Sequence, residues 1–255
     1  MTQLTIVKVG GQIVEEPESL NRLLQDFSRI AGNKILVHGG GRSATKLAQR
    51  LGVESKMIDG RRVTDEETLK IVTMVYGGLV NKNIVAKLQA LGVDAIGLTG
   101  ADMNVILSEK RLVKEIDYGF VGDVKEVNAP VLSDLLNQRF VPVLAPLTHD
   151  GKGNLLNTNA DTIAGETAKG LALHFNVRLI FCFEKAGVLM NENDEKSVIP
   201  VLDRELFRQY KEEEIIQGGM IPKLENAFEA LAAGVKEVII TQASEINSGK
   251  GTTIR

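Results

Sequence analysis

Short apolar runs rich in β-branched residues alternate along this chain with segments whose apolar positions recur every three or four residues. The runs at 4–9 (LTIVKV), 35–37, 93–98 (VDAIGL), 140–145 (FVPVLA), 178–183 and 236–241 (KEVIIT) predict buried strands, with a short strand at 105–108 and a charged β-like stretch through Val124. Pro17 and Glu18 open a helix carrying Leu20, Leu23, Leu24, Phe27 and Ile30, closed at Gly32. Thr64 and Glu67 read as a capping box for a long helix to about residue 91, with Leu69, Val72, Val75, Leu79, Ile84 and Leu88 on one side. Further helices are predicted at 130–137, 162–173, 203–214 and 222–233; 53–64 reads as a loop or short hairpin and 148–161 as a polar loop. Pro142 pushes its strand toward a sheet edge, because proline cannot donate to a ladder. Strand and helix alternate throughout, which predicts an α/β class with a mainly parallel, helix-covered sheet.

Composition narrows the partners. A length of 255 residues suits one large domain or two tightly packed lobes. The net charge of −3, without a Lys/Arg cluster, argues against nucleic acid or an anionic membrane surface and favours small-molecule chemistry. The single Cys182 lies in RLIFCF and reads as a core thiol in a reducing compartment. A strand begins within a few residues of Met1 and no apolar run approaches a membrane span, so the expectation is a cytoplasmic protein without a signal peptide.

The chain is organised around KILVHGGGRSATK at 34–46. An apolar strand stops at Gly39, Gly40 and Gly41, and a helix-compatible segment follows at once. Such a turn lets a ligand approach the backbone while the first free N–H groups of the helix and its dipole face it, an anion site if it is more than a tight turn. Similar loops follow other strands at Gly10-Gly11, 97–100 and 147–159, and in open α/β sheets loops at the carboxyl ends of strands share a ligand. Lys8 ends the first strand beside them. Lys223 follows a Gly218-Gly219-Met220 step in the first turn of a helix, where the dipole disfavours a cation unless an anion lies close. In NTNAD, Asn157, Asn159 and Asp161 stand two apart; they read either as an Asx turn with Asn159 as N-cap or as a carboxylate grip with Asp161 orienting the lysines. Arg61 and Arg62 offer a bidentate fork for a carboxylate or are surface arginines.

The three histidines, His38, His149 and His174, form no catalytic triad or zinc spacing, and no metal-ligand set is assigned. Phosphoryl transfer to a carboxylate needs no base, because the nucleophile is ionised at pH 7 and catalysis reduces to positioning and charge neutralisation. Gly39, Gly41 and Ala44 formally satisfy a dinucleotide fingerprint with Asp59 as its acid, but VESKMID is a poor second strand. SGKGTT at 248–253 lacks the first glycine of a P-loop and the helix that follows it.

Assembled, the motifs KVGG (8–11), HGGGR (38–42), GRRVT (60–64), VGDV (121–124), LLNTNAD (155–161), GGMIPK (218–223) and GTTI (251–254) resemble the amino acid kinase family, and within it the acylglutamate kinases, over essentially the full length. The resemblance implies an open αβα sandwich forming one domain over 1–255, with an acylglutamate lobe at about 1–173 and a nucleotide lobe at about 174–255. It implies ATP and Mg2+ as cofactors and an N-acylglutamate, acetyl or a larger acyl such as succinyl, as phosphoryl acceptor. By matching positions, Lys8 and Lys223 neutralise the moving phosphoryl group and Asp161 places both. Gly10, Gly11 and Glu184 serve the nucleotide, and Gly40, Gly41, Arg62, Asn157 and Asn159 serve the substrate. The sequence departs from the family at Glu184, where an aspartate is usual, and at Met103, where a glycine is usual. Because Lys8 lies near the start, no room is left for the N-terminal helix of arginine-inhibited members, and an arginine-insensitive homodimer is expected. A second acyl carboxylate would want a cation such as Arg61 or Lys46. Rival readings are a sister kinase for another acid or a nucleoside monophosphate, a silent ATP- or metabolite-binding regulator, and an NAD oxidoreductase.

Overall fold

The computed structural model describes residues 1–58 and 60–255; Asp59, the acid of the dinucleotide reading, lies outside the described residues. In chain order the elements are β1 (Gln3–Val9), α1 (Gly11–Glu15), α2 (Pro17–Ser28), β2 (Asn33–His38), α3 (Gly41–Arg50), β3 (Met57–Ile58), β4 (Arg61–Arg62) and α4 (Glu66–Val72). A π-helical segment, Thr73–Val80, joins α4 to α5 (Asn81–Ala90). Then come β5 (Ala95–Leu98), β6 (Ile106–Lys110), β7 (Gly122–Val127), α6 (Ala129–Asn137), β8 (Val141–Leu144), β9 (Leu147–His149), β10 (Leu155–Asn157) and α7 (Ala160–Leu171). The chain closes with β11 (Asn176–Phe183), β12 (Val201–Leu202), α8 (Arg204–Glu212), α9 (Met220–Ala232), β13 (Glu237–Gln242) and β14 (Thr252–Ile254).

An eight-stranded sheet, ordered β12-β14-β13-β11-β1-β2-β8-β5, forms the central layer, parallel except for β13 against β14. Period-2 alternation divides its side chains between two cores. Leu4 and Ile6 of β1, with Leu179, Phe181 and Phe183 of β11, pack toward α7 and α9. Val7 and Val9, with Leu36 of β2, pack toward α2, α3 and the long helix. Alternation therefore sends Lys8 to the first face and His38 to the second, which fixes what each can meet.

The predicted class holds, with five local corrections. The residues at 148–161 are no simple loop, because β9 and β10 form a hairpin within a second, four-stranded sheet, β10-β9-β6-β7. Asp65, not Thr64, caps α4, accepting from the Thr68 amide at 2.8 Å, while Thr64 bridges to Gly119. Leu79 is 58% exposed although Leu88 and Ile84 are buried, since the wider π turn shifts the phase of the apolar stripe. Pro142 lies in β8, flanked by β2 and β5 rather than at an edge. The amides of Val141 and Ala145 donate toward β5, so the proline nitrogen faces β2 at a level below Val143, where that pairing begins. The fifth is that Gly97 and Gly100 do not join the other glycine turns. A Cβ on Gly100 would stand 2.7 Å from the Ile106 carbonyl, and one on Gly97 only 1.9 Å from Asn81 Oδ1, so both glycines serve close packing. Met103, where the family usually has glycine, adopts φ 52, a left-handed conformation costing a side-chain-bearing residue about 1 kcal/mol.

Candidate active site

Three residues from distant parts of the chain meet at the carboxyl ends of β1 and β11. Lys8 Nζ stands 2.7 Å from Asp161 Oδ1, a buried ion pair joining the central strand to the first turn of α7. Both ammonium groups lie against one aromatic ring, that of Phe183 at the end of β11: Lys8 Nζ at 5.1 Å from its centroid and Lys223 Nζ at 3.8 Å. Phe183 was not among the sequence candidates. Its signal was positional, as the last residue of a strand beside Lys8, and an aromatic face that carries two cations was not separable there from ordinary core. Burial holds the Lys223 pKa below the usual lysine value, Asp161 and Glu184 pull it back up, and Lys8 adds a smaller downward push. Two cations held together beside Asp161, with Glu184 also acting on Lys223, make an arrangement that can receive an anionic group.

The glycine turns converge as expected at three of the four loops. Gly39 donates to Val9 O at 3.1 Å, and a Cβ there would meet the Gly11 nitrogen at 3.3 Å, so the two turns lie in contact. The Gly10 amide is engaged by Cys182 O at 3.2 Å, leaving Gly11 and Gly40 as the donors nearest the gap; among the described residues the Gly40 amide has no acceptor. Gly11 and Gly41 begin α1 and α3, whose first amides are free by helix geometry. Glu15 ties these helices together, accepting from Ser43 Oγ at 3.0 Å and Lys46 Nζ at 2.7 Å. Lys46, engaged by Glu15, is not among the residues that line the cavity beside the Gly39–Gly41 turn.

A cavity of about 180 Å³ opens between the Gly39–Gly41 turn and the β10–α7 junction. Arg62, Asn157 and Asn159 line it, joined by Arg61, Tyr76, Arg111 and Asp123. The Arg62 guanidinium is held by Gly41 O at 2.8 Å, Thr45 Oγ1 at 2.9 Å and Ser55 Oγ at 2.9 Å, which fixes it in one orientation on the cavity wall. Asn157, on the cavity wall, donates to Thr64 Oγ1 at 2.9 Å. Asn159 caps α7 through its Oδ1, accepting from the amides of Asp161 and Thr162, so the N-cap reading is correct and only its NH₂ group can turn to a ligand. Arg111, paired with Asp123, was also missed, because the β6–β7 hairpin that carries both was legible only as a charged stretch. A second cavity of about 440 Å³, lined by Glu184, Ile216, Gly218, Gly219 and Lys223, lies on the other side of the lysines.

The amino acid kinase family pattern matches residues 3–242. The chain belongs to the amino acid kinase family. A relative from Parabacteroides distasonis named acetylglutamate kinase is 70% identical over 254 residues, covering 100% of both chains. One of the same name from Phocaeicola vulgatus is 69% identical, covering 99% of this chain and 98% of its own. Among solved structures, smu.665 from Streptococcus mutans UA159 aligns with a TM-score of 0.80 at 31% identity, covering 98% of each chain. The α/β layering around a large, mainly parallel central sheet is the fold that the resemblance implied. Among the described residues no helix is long and apolar enough to cross a membrane.

Two buried titratable groups lie behind the site. The Cys182 thiol is pushed up to about 12 by burial, which makes it an inert core residue as expected. His38, fully buried, is pushed down to about 4 by burial against an ordinary 6.5. Between these values the unfolded chain binds a proton that the folded chain does not, so stability is full above about pH 6.5 and lost as pH falls toward 4. The drop attributable to His38 is about 3 kcal/mol. Urea unfolding at pH 7 and pH 4 is expected to show it in the native protein and not in His38→Asn; parallel profiles for the two would contradict it.

Proposed function

We propose that this chain transfers the γ-phosphoryl group of ATP to the side-chain carboxylate of an N-acyl-L-glutamate, acetyl being the acyl group in the names of its relatives. Family membership makes the chain a phosphotransferase; the observation that carries the finer reading is the pair Lys8–Asp161 with Lys223 on the same Phe183 face, set between two cavities of different character. The smaller cavity, with Arg62 and Asn157, suits an amino acid bearing carboxylates and an amide; the larger, lined by Glu184 and glycines, suits a nucleotide. The lobes at about 1–173 and 174–255 take these roles in turn. The ionised acceptor carboxylate attacks the γ-phosphorus. One P–O bond forms as the bond to the bridging oxygen breaks, and ADP leaves with that electron pair. No proton is moved. Lys8 and Lys223 neutralise the charge that spreads over the phosphoryl oxygens, Asp161 holds Lys8 in place, and the glycine amides donate to the same group.

Among the described residues no group of three or more His, Cys, Asp or Glu side chains stands ready to hold a metal. Mg2+ would be carried mainly by the nucleotide phosphates, the usual arrangement for this ion, and Asp161 and Glu184 are the carboxylates that act on the Lys223 ammonium. When bound, Mg2+ supplies charge neutralisation at the phosphates. The product, an N-acylglutamyl phosphate, is an activated acid of arginine biosynthesis, and the enzyme acts in the cytoplasm.

The test is ATP-dependent acyl phosphate trapped with hydroxylamine, with N-acetylglutamate and N-succinylglutamate in parallel. Turnover with either supports the reading and names the acyl group; Arg61 and Arg111, both on the cavity wall, are the cations a second acyl carboxylate would meet. No turnover with either overturns it. Arg62→Ala is expected to raise KM for the acylglutamate about 10- to 100-fold, the worth of a charged hydrogen-bonded contact, with KM for ATP unchanged. An unchanged acylglutamate KM would remove Arg62 from the substrate site.

We further expect a homodimer. The long helix exposes Met74 at 53% and Leu79 at 58% on one apolar stretch, TMVYGGLV, and burying such residues against a second copy is favourable. Light scattering should give twice the 27.7 kDa of the chain; a monomer mass at micromolar concentration counts against it.

A further inference from the structure

His38 ends β2 on the face turned toward the long helix and is wholly enclosed. Its ring has a defined partner on each side. Nδ1 lies 2.7 Å from Gly39 O, and since a carbonyl only accepts, Nδ1 carries the proton. Nε2 is then an acceptor, and Asn81 Nδ2 donates to it at 3.1 Å while giving its other hydrogen to Val143 O at 2.9 Å. Asn81 Oδ1 in turn accepts from Lys82 Nζ at 3.2 Å, and Lys82 also reaches Gly97 O at 3.0 Å. Every polar atom of the buried pair is satisfied in one tautomer and one amide orientation, so the arrangement has no equally good alternative.

The consequence falls on the glycine turn. A trans peptide points its C=O and N–H in opposite directions, so holding Gly39 O inward against His38 turns the Gly40 N–H outward to the cavity it lines. The same helix blocks the turn from sinking: a Cβ at Gly40 would stand 2.8 Å from Tyr76 Cδ1, so the Tyr76 ring lies directly against that glycine. Tyr76 belongs to the π segment and Asn81 is the first residue after it. The π segment sets the angular offset between these two supports, in keeping with the frequent use of π turns at functional sites.

We propose that His38 and Asn81 are positioning residues for the phosphoryl transfer, holding the Gly39–Gly40 peptide so that the Gly40 amide is aimed at the anion between the glycine turns. This rests on the kinase reading above. Neither side chain touches the substrate; both act through the backbone.

Two amide replacements separate the ends of the ring. In His38→Asn the side-chain NH₂ falls where Nδ1 stood and still donates to Gly39 O, whereas in His38→Gln the amide oxygen falls where Nε2 stood, accepting from Asn81, and the Gly39 bond is lost. His38→Asn is expected to keep kcat within about fivefold, and His38→Gln to lose roughly 100-fold, the scale of a small misplacement of a catalytic donor, with both KM values unchanged. Imidazole nitrogen NMR of the native protein at pH 7 should show the Nδ1–H tautomer, a readout independent of turnover. The Nε2–H tautomer, or equal kcat losses in the two variants, overturns the proposal. An inactive native protein with the Nδ1–H tautomer would instead overturn the kinase reading, and the catalytic part of this proposal with it.

Discussion

Lys223→Ala is expected to lower kcat by about 10²- to 10³-fold, the usual loss when one preorganised donor to a developing anion is removed, with KM for the acylglutamate within about threefold. The side chain lies against Phe183 rather than in the smaller cavity, so its contribution grows as charge spreads over the phosphoryl oxygens and not when the acceptor binds. Its pH dependence carries a sign. Burial lowers the Lys223 pKa, so the active ammonium form is lost on the alkaline side at lower pH than an ordinary lysine would lose it. Lys223→Arg keeps a cation through that range, and its residual activity should not fall there. A pH profile in which Lys223→Arg and the native enzyme decline together would assign the alkaline limb to another group. Lys8→Ala should reach a similar loss in kcat, with stability reduced as well, because it leaves Asp161 buried without its partner.

Asp161→Ala has the second large effect, and it has two components that can be pulled apart. The pair it forms with Lys8 is enclosed, with side chains only 8% and 12% exposed. Removing one member of such a pair leaves an uncompensated charge and costs about 3–5 kcal/mol, which in a chain of this size is a fall in Tm on the order of 10 °C. Activity should fall about 100-fold or more, since Lys8 loses the group that aims it. The double variant Lys8→Met, Asp161→Leu exchanges the pair for apolar groups of similar volume and should regain most of the lost Tm while remaining inactive. Should the double variant recover activity with stability, the pair would be structural and the catalytic assignment would fail.

The strands and most helices were legible because each rests on a local periodicity: β1, β2, β11 and β13 on continuous apolar runs, α2 on its spacing from Leu20 to Phe27. Apart from Leu79, whose exposure follows from the local π turn, the misreadings share a cause, which is that the deciding contact is distant in sequence. The hairpin of β9 and β10 looked like a polar loop because its strands are three residues each and are stabilised by pairing within a second sheet. Pro142 was tolerated inside the sheet because β2 begins its pairing one residue further on. Thr64 and Asp65 are both competent caps, and Thr64 was withdrawn from that role by its bridge to Gly119.

The residue types of the site were readable from the sequence: a lysine at a strand end, a lysine against a helix dipole, an aspartate after an asparagine pair, and glycines where a phosphate can approach. Their proximity was not. Lys8 and Asp161 are drawn together because alternation along β1 turns Lys8 to the same face as Leu4 and Ile6, the face that α7 covers. The same rule applied to β2 turns His38 to the opposite face, against Asn81, where no local pattern announced it. Sequence by itself determined the elements, the chemistry of the candidate groups and, through its motifs, the family. Tertiary structure decided which groups share a cavity, which amides remain free and which charges are buried together, because those depend on strand order and on which core each side chain enters, and neither is encoded within any single stretch of the chain.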